Sequence, residues 1–103
     1  MLQLGGEKAL EYIMLKKITL ALAVFVLIKI TWSANTENDL AGYKIYDGLF
    51  SGYYSRVTTV EKDATSAFLV RWKTTMTRYF VVTAFDTSGN ESDFSAEVSL
   101  LGN

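Results

Sequence analysis

The chain of 103 residues contains no cysteine, no histidine and no proline. Without cysteine there is no disulfide, no thiol nucleophile and no thiolate zinc site, and without histidine the usual imidazole base and the commonest metal ligand are missing too. A small β-domain is exported without disulfides when its core suffices, so the lack of cysteine leaves the compartment open. The lack of proline bears on stability, because each turn left unpinned forgoes about 0.4–1 kcal/mol of unfolded-state entropy. A basic stripe is also lacking. Four Lys face two Glu up to Trp32, whereas nine acidic residues face six basic ones from Ser33 onward. A mildly acidic folded part argues against nucleic acid as a partner.

Hydrophobic residues make up 50% of the chain and aromatics 14%, enough for one small folded domain. The apolar residues crowd near the N-terminus. Residues 14–28 read MLKKITLALAVFVLI, two lysines followed by eleven apolar or small residues from Ile18 to Ile28. That is the layout of a signal peptide, and it is short for a membrane span, which needs about 20 apolar residues. No good cleavage site follows, since the first candidate, ending at Ala34, puts Trp32 at the −3 position. An uncleaved anchor fits the same residues, with Lys16 and Lys17 kept inside and residues 14–30 as the segment that meets the membrane. The competing reading is a buried helix or strand of the domain itself. Residues 1–13 carry no motif, which makes Met14 the expected natural start. The expected division is therefore a hydrophobic, helical leader or anchor over residues 1–28 and a folded domain over residues 29–103, carried outside the cytoplasm.

From Ile28 the pattern changes to period two. Ile28, Ile30 and Trp32 alternate with Lys29, Thr31 and Ser33, which predicts a strand with one apolar face. ANTEND (residues 34–39) is a polar loop. A strand over residues 40–46 sets Tyr43 and Ile45 on one side and Lys44 and Tyr46 on the other, and Asp47-Gly48 marks a turn. Residues 53–60 suit a pleated surface. In residues 67–72 either Ala67 and Leu69 or Phe68, Val70 and Trp72 could face inward, and the sequence leaves both open. Residues 78–90, RYFVVTAFDTSGN, are the organising stretch: a strand apolar on both sides that runs into a turn rich in Asp, Ser, Gly and Asn. A last strand over residues 94–101 places Phe94, Ala96 and Val98 on one face. Six short strands about ten residues apart, with no helical period after the leader, predict an all-β antiparallel sandwich.

Ile30-Thr31-Trp32, Leu40-Ala41-Gly42-Tyr43-Lys44-Ile45-Tyr46 and the run from Phe80 through Asp86-Thr87-Ser88-Gly89-Asn90 to Ser92 together resemble a fibronectin type III domain of the bacterial kind. The resemblance covers nearly all of residues 29–100. It implies an immunoglobulin-like sandwich with Trp32 on strand B, Tyr43 and Ile45 on C, residues 54–60 on C′, 67–72 on E, 79–85 on F and 94–100 on G. It implies a non-catalytic spacer or a binder of protein or polysaccharide surfaces, with no cofactor. Three features depart from the family pattern. Strand A is missing, so either residues 20–26 supply it or the B edge is bare and open to strand addition. Arg78 stands where the family carries its corner tyrosine. Trp72-Lys73-Thr74-Thr75 replaces a leucine followed by Pro-Gly.

Asp86, Glu91 and Asp93, with Ser88 and Asn90, could suit a calcium ion, yet the spacing lacks the D-x-D-x-D-G pattern, and turn geometry accounts for these residues. The same carboxylates are an unpromising acid–base pair, since so small a fold offers no cleft. Tyr46, Phe50, Tyr53 and Tyr54 cluster near the C–C′ turn, either stacking on a ligand or, the favoured reading, closing the end of the sandwich. Asn90-Glu91-Ser92 is a formal glycosylation sequon inside the turn motif, and no Arg-Gly-Asp tripeptide is present. No catalytic, cofactor-binding or metal-binding residue is assigned.

Overall fold

The structure, a computed structural model, describes the backbone of residues 11–20 and 23–102 and the side chains of residues 25–102. Seven strands follow in chain order: β1 Glu11–Leu20, β2 Ala23–Thr31, β3 Leu40–Gly48, β4 Arg56–Glu61, β5 Ser66–Trp72, β6 Arg78–Asp86 and β7 Val98–Leu100. They pair antiparallel in two sheets, ordered β1–β2–β5 and β4–β3–β6–β7. The sandwich expected from the period-two pattern is present.

The N-terminal run departs from expectation. Where a helical leader was expected, the chain forms β1 and β2, and the expected boundary after Ile28 falls inside β2. A run apolar at every position satisfies a helix and a buried strand equally well, and pairing decides between them. β2 is hydrogen-bonded to β1 on one side and to β5 on the other. Val26, Ile28, Ile30 and Trp32 then enter the core at every second residue. Among the described residues no helix is long and apolar enough to cross a membrane. β1 also supplies the strand expected to be missing, so the B edge is not bare; among the described residues the outermost strands of this sheet are β1 and β5. The alternative A strand over residues 20–26 falls on the crossing between β1 and β2, where residues 21 and 22 lie outside the described residues. Residues 1–10, most of the motif-free extension, lie outside them as well.

Between the sheets pack Val26, Ile28, Ile30 and Trp32 from the β2 side, Ala67 and Leu69 from β5, Tyr43 and Ile45 from β3, and Phe80, Val82 and Ala84 from β6. The Trp32 ring tilts onto Tyr43 at 5.2 Å between centroids, and the Tyr43 hydroxyl accepts the Asn35 N–H at 2.7 Å. The phase that the sequence left open in β5 is settled: Ala67 and Leu69 face inward, while Phe68, Val70 and Trp72 face solvent.

That phase also sends Arg71 inward, where a charge needs a partner. Asp47, fully buried on β3, accepts from Arg71 Nε at 2.9 Å and Nη2 at 2.7 Å, and from Arg78 Nη1 at 3.3 Å. Arg78 Nη2 also donates to the Trp72 carbonyl at 3.4 Å. Arg78, expected from the resemblance to stand where the corner tyrosine would, thus ties β6 to β3 through an ion pair and to β5 through a hydrogen bond to a carbonyl. Burial lowers the Arg78 pKa, the neighbouring Arg71 and Arg56 lower it further, and Asp47 opposes them.

β6 is buried on both faces. Phe80, Val82 and Ala84 point inward, and the outward Val81 and Thr83 are buried as well. Asp86 then closes the turn: its carboxylate accepts from the Ser88 N–H at 2.9 Å, the Asn90 N–H at 2.8 Å and Asn90 Nδ2 at 3.0 Å. Gly89 takes a φ of +87°, which a side chain would strain.

The expected last strand is regular only over Val98–Leu100. Before it, serine hydroxyls stand in for ladder carbonyls: Ser92 Oγ accepts the Ala84 N–H and Ser95 Oγ the Val82 N–H, each at 2.9 Å. In return the Ser92 and Ser95 amides donate to the Ala84 and Val82 carbonyls. This pairing breaks the two-residue alternation, so Phe94 and Val98 do not share a face as expected. Val98 packs against the core, and Phe94 lies outside against Tyr46 and Tyr54.

Candidate binding surface

The outer face of the β4–β3–β6–β7 sheet carries a connected group of rings and carboxylates. Tyr46 projects from β3, Tyr54 comes from the chain entering β4, and Phe94 is set down by the serine-bonded segment after β6. Phe94 meets Tyr46 edge-on at 5.1 Å and Tyr54 at 5.5 Å, and the two tyrosine rings lie 6.4 Å apart.

Each tyrosine is held by a glutamate. Glu91 accepts hydrogen bonds from the Tyr46 hydroxyl and from Thr83 Oγ1, the latter at 2.7 Å, and pairs with Lys44 Nζ at 3.4 Å. Glu97 accepts from the Tyr54 hydroxyl, from Ser51 Oγ at 2.7 Å and from the Gly52 N–H at 3.2 Å. Burial and the bond to Glu91 push the Tyr46 pKa up to about 12. Burial and the bond to Glu97 push Tyr54 up to about 12 as well. Burial acts to raise Glu91, but donation from Tyr46, Thr83 and Lys44 outweighs it and holds the carboxyl below the usual range. Donation from Tyr54 and Ser51 does the same for Glu97.

These lowered values give stability an acid limb of known sign. A carboxylate whose folded pKa lies below its unfolded value of about 4.3 contributes fully above about pH 5 and loses that contribution as the pH falls through the folded value. The urea midpoint is therefore expected to hold from neutrality to about pH 5 and to drop below about pH 4. Glu91→Gln/Glu97→Gln should start lower at pH 7 and lose less on acidification. An acid loss equal to that of the parent would remove these two carboxylates as its source.

Phe50 and Tyr53 were expected to close the end of the sandwich with the other aromatics. They do not: Phe50 is 63% and Tyr53 77% exposed. The turn between β3 and β4 bridges these two residues to each other, with Tyr53 N–H donating to the Phe50 carbonyl at 3.0 Å, and so holds both rings out. Together with Leu49, Tyr54 and Ser55 they line a shallow cleft. Sequence reasoning assembled Tyr46, Phe50, Tyr53 and Tyr54 but missed Phe94 and Glu97, which reach the patch only because the serine bonding shifts the phase.

The acidic turn is not brought together as a cation site. The Asp86 oxygens are taken up by Ser88 and Asn90, Glu91 turns toward Lys44 and Tyr46, and among the described residues no group of three acidic side chains is placed to hold a metal. Asn90 of the formal sequon donates its side-chain amide to Asp86.

Three strands ordered β1–β2–β5 over four ordered β4–β3–β6–β7, with a tryptophan on the B side packed on the C tyrosine, give the chain a fibronectin type III fold. The crystal structure of the FN1–FN3 domains of chicken CNTN1 is similar to it, with a TM-score of 0.66 and 19% identity over 85% of this chain and 30% of that one. No family model matches the sequence, and no curated protein matches it. At that identity the likeness carries the fold alone.

Proposed function

We propose that the chain is a non-catalytic binding or spacer module that works outside the cytoplasm on protein or polysaccharide surfaces. The observation that carries this reading is the ring surface of Phe50, Tyr53 and Phe94, all more than half exposed, held on a scaffold whose bonds are already made. Flat rings fixed by a sheet stack on sugars or cover apolar side chains at little entropic cost. The two glutamates beside them are poorly suited to act as a general acid, because that role needs a raised pKa and both are lowered. The location rests on the lysine-then-apolar layout of residues 14–28, read as an export signal that stays in the chain.

Titration against a panel of soluble polysaccharides and immobilised proteins, read by NMR shifts at Phe50, Tyr53 and Phe94, tests the binding role. Tyr53→Ala and Phe94→Ala should each weaken a genuine ligand by roughly tenfold. A ligand whose affinity is unchanged in Phe50→Ala/Tyr53→Ala/Phe94→Ala would sink the patch and leave the spacer role.

A second reading, assembly by strand addition, moves from the B edge to β5. Trp32 N–H bonds the Thr65 carbonyl, so alternation along the ladder points the peptide groups of Ser66, Phe68, Val70 and Trp72 away from β2. Arg71 and Arg78 cap the Val70 and Trp72 carbonyls. The carbonyls of Ser66 and Phe68 are left for a partner strand. A chain that sediments as a monomer at every concentration would remove self-pairing, and a β5 edge whose amide protons keep their exchange rates with every protein of the panel would remove addition of another protein's strand.

A further inference from the structure

On the side of the sandwich opposite the ring patch, the outward positions of β2 from Phe25 onward and of β5 are largely apolar. Cross-strand pairing sets Phe25 against Trp72, Leu27 against Val70 and Lys29 against Phe68. Phe68 is 57%, Val70 51% and Trp72 58% exposed. Phe25 and Trp72 stack at 4.4 Å, and Lys29 Nζ stands 5.6 Å from the centre of the Phe68 ring. The row continues at the end of the sandwich, where Trp72 lines a recess with Met76 and Leu101, both exposed. A contiguous apolar row of this kind marks an interaction surface.

The charges on and around the row select the occupant. The outward positions of β2 and the β5 row carry no carboxylate. Lys29 sits in the row and Lys73 follows Trp72, while the backbone register of β1 sets Lys16 opposite Leu27 and Glu11 opposite Thr31, so the lysines outnumber the one acid. On the inner side Asp47 is buried and bound to Arg71 and Arg78, while Glu91 and Glu97 lie on the opposite sheet. A second copy packed face to face would oppose lysine to lysine. An anionic lipid surface meets both features: aromatic rings settle at the headgroup boundary, and lysines lie along apolar surface with their ammonium groups on phosphate.

We propose that this face docks the domain on an anionic phospholipid bilayer, with Phe68 and Trp72 at headgroup depth and Lys29 and Lys73 on the phosphates. Docked so, the domain turns Tyr46, Tyr54 and Phe94 away from the bilayer toward whatever the ring patch binds.

The two tryptophans make the test direct, because Trp32 is buried and Trp72 is exposed. The full chain is mixed with phosphatidylcholine vesicles, with and without phosphatidylglycerol. Co-sedimentation and a blue shift of tryptophan emission are expected with the anionic vesicles, and both should fade at high salt. Trp72→Phe should abolish the shift, since Trp32 is already dry. Lys29→Glu/Lys73→Glu, checked for folding by near-UV circular dichroism, should weaken sedimentation by roughly tenfold or more. No sedimentation, equal sedimentation with neutral vesicles, or a lipid-free shift that grows with protein concentration would each overturn the proposal, the last by assigning the face to a second copy.

Discussion

Replacing Asp47 by alanine is expected to lower the unfolding free energy by about 3–5 kcal/mol, because it strands two inward-facing guanidinium groups without a counter-charge. Asp47 has no exposed surface, and the side chains of Arg71 and Arg78 are each 11% exposed. Water can therefore make up little of what the substitution removes. A small domain holds only about 5–15 kcal/mol in total, and each kcal/mol moves its thermal midpoint by about 4–8 °C. The cluster also predicts an order. Arg71 makes two short bonds to Asp47 and Arg78 one longer one, so Arg71→Ala should cost more than Arg78→Ala, and both less than Asp47→Ala. Replacing all three by apolar residues of similar size, as in Asp47→Leu/Arg71→Met/Arg78→Met, should recover much of the loss, since a buried ion cluster is not itself a large net source of stability. Urea midpoints for the five proteins check this. An Asp47→Ala variant within about 1 kcal/mol of the parent would mean that the guanidinium groups swing out to water, and the cluster would then not join the sheets.

The Asp47 cluster also shows where sequence reasoning ends. Asp47 reads as the first residue of an Asp-Gly turn, and Arg78 as a departure from a family tyrosine; nothing local says that they touch. Arg71 is misleading on its own, because a charge in the Ala67–Leu69 phase argues for the opposite face until a buried acid from another strand is supplied. β3, β5 and β6 read correctly as strands, and Asp86-Thr87-Ser88-Gly89-Asn90 marks the turn after β6; Asp47-Gly48, expected as a turn, instead lies inside β3, paired with Arg56, Phe80 and Tyr79, and the chain reverses after it between Phe50 and Tyr53. The segment before β7 failed for a different reason. Serine hydroxyls took ladder positions, a substitution that leaves no mark on hydrophobic periodicity, and it carried Phe94 out of the core face and into the ring patch. The patch was thus half legible: its tyrosines come from regular strand and turn positions, and its phenylalanine and Glu97 do not.

Deleting residues 1–28 is expected to abolish folding of the remainder. The deletion takes away β1 and β2 up to Ile28, and with them the partners of Trp72, Arg71, Val70 and Leu69 on β5. Val26 and Ile28 leave the core, at about 1.5–3 kcal/mol each for the burial alone. Their departure also exposes the inner faces of Leu69, Ile45 and Phe80, side chains that are buried in the intact domain. β5 would keep only Lys29, Ile30 and Thr31 as partners, too short a pairing to hold an edge strand over the second sheet. The summed loss exceeds what a domain of this size holds in reserve. A purified fragment of residues 29–103 should therefore give collapsed amide dispersion and no cooperative urea transition, with Trp32 emitting as in water. The same physics bears on export. Residues 14–28 cannot be discarded as a cleaved leader and also serve as β1 and β2, so a chain that is exported and folded must keep them. Sequencing the N-terminus of the folded protein recovered from cells should find it ahead of β1. A folded, cooperatively melting fragment that begins at Lys29 or beyond would show instead that the second sheet closes on itself and that the hydrophobic run is free to act as a leader.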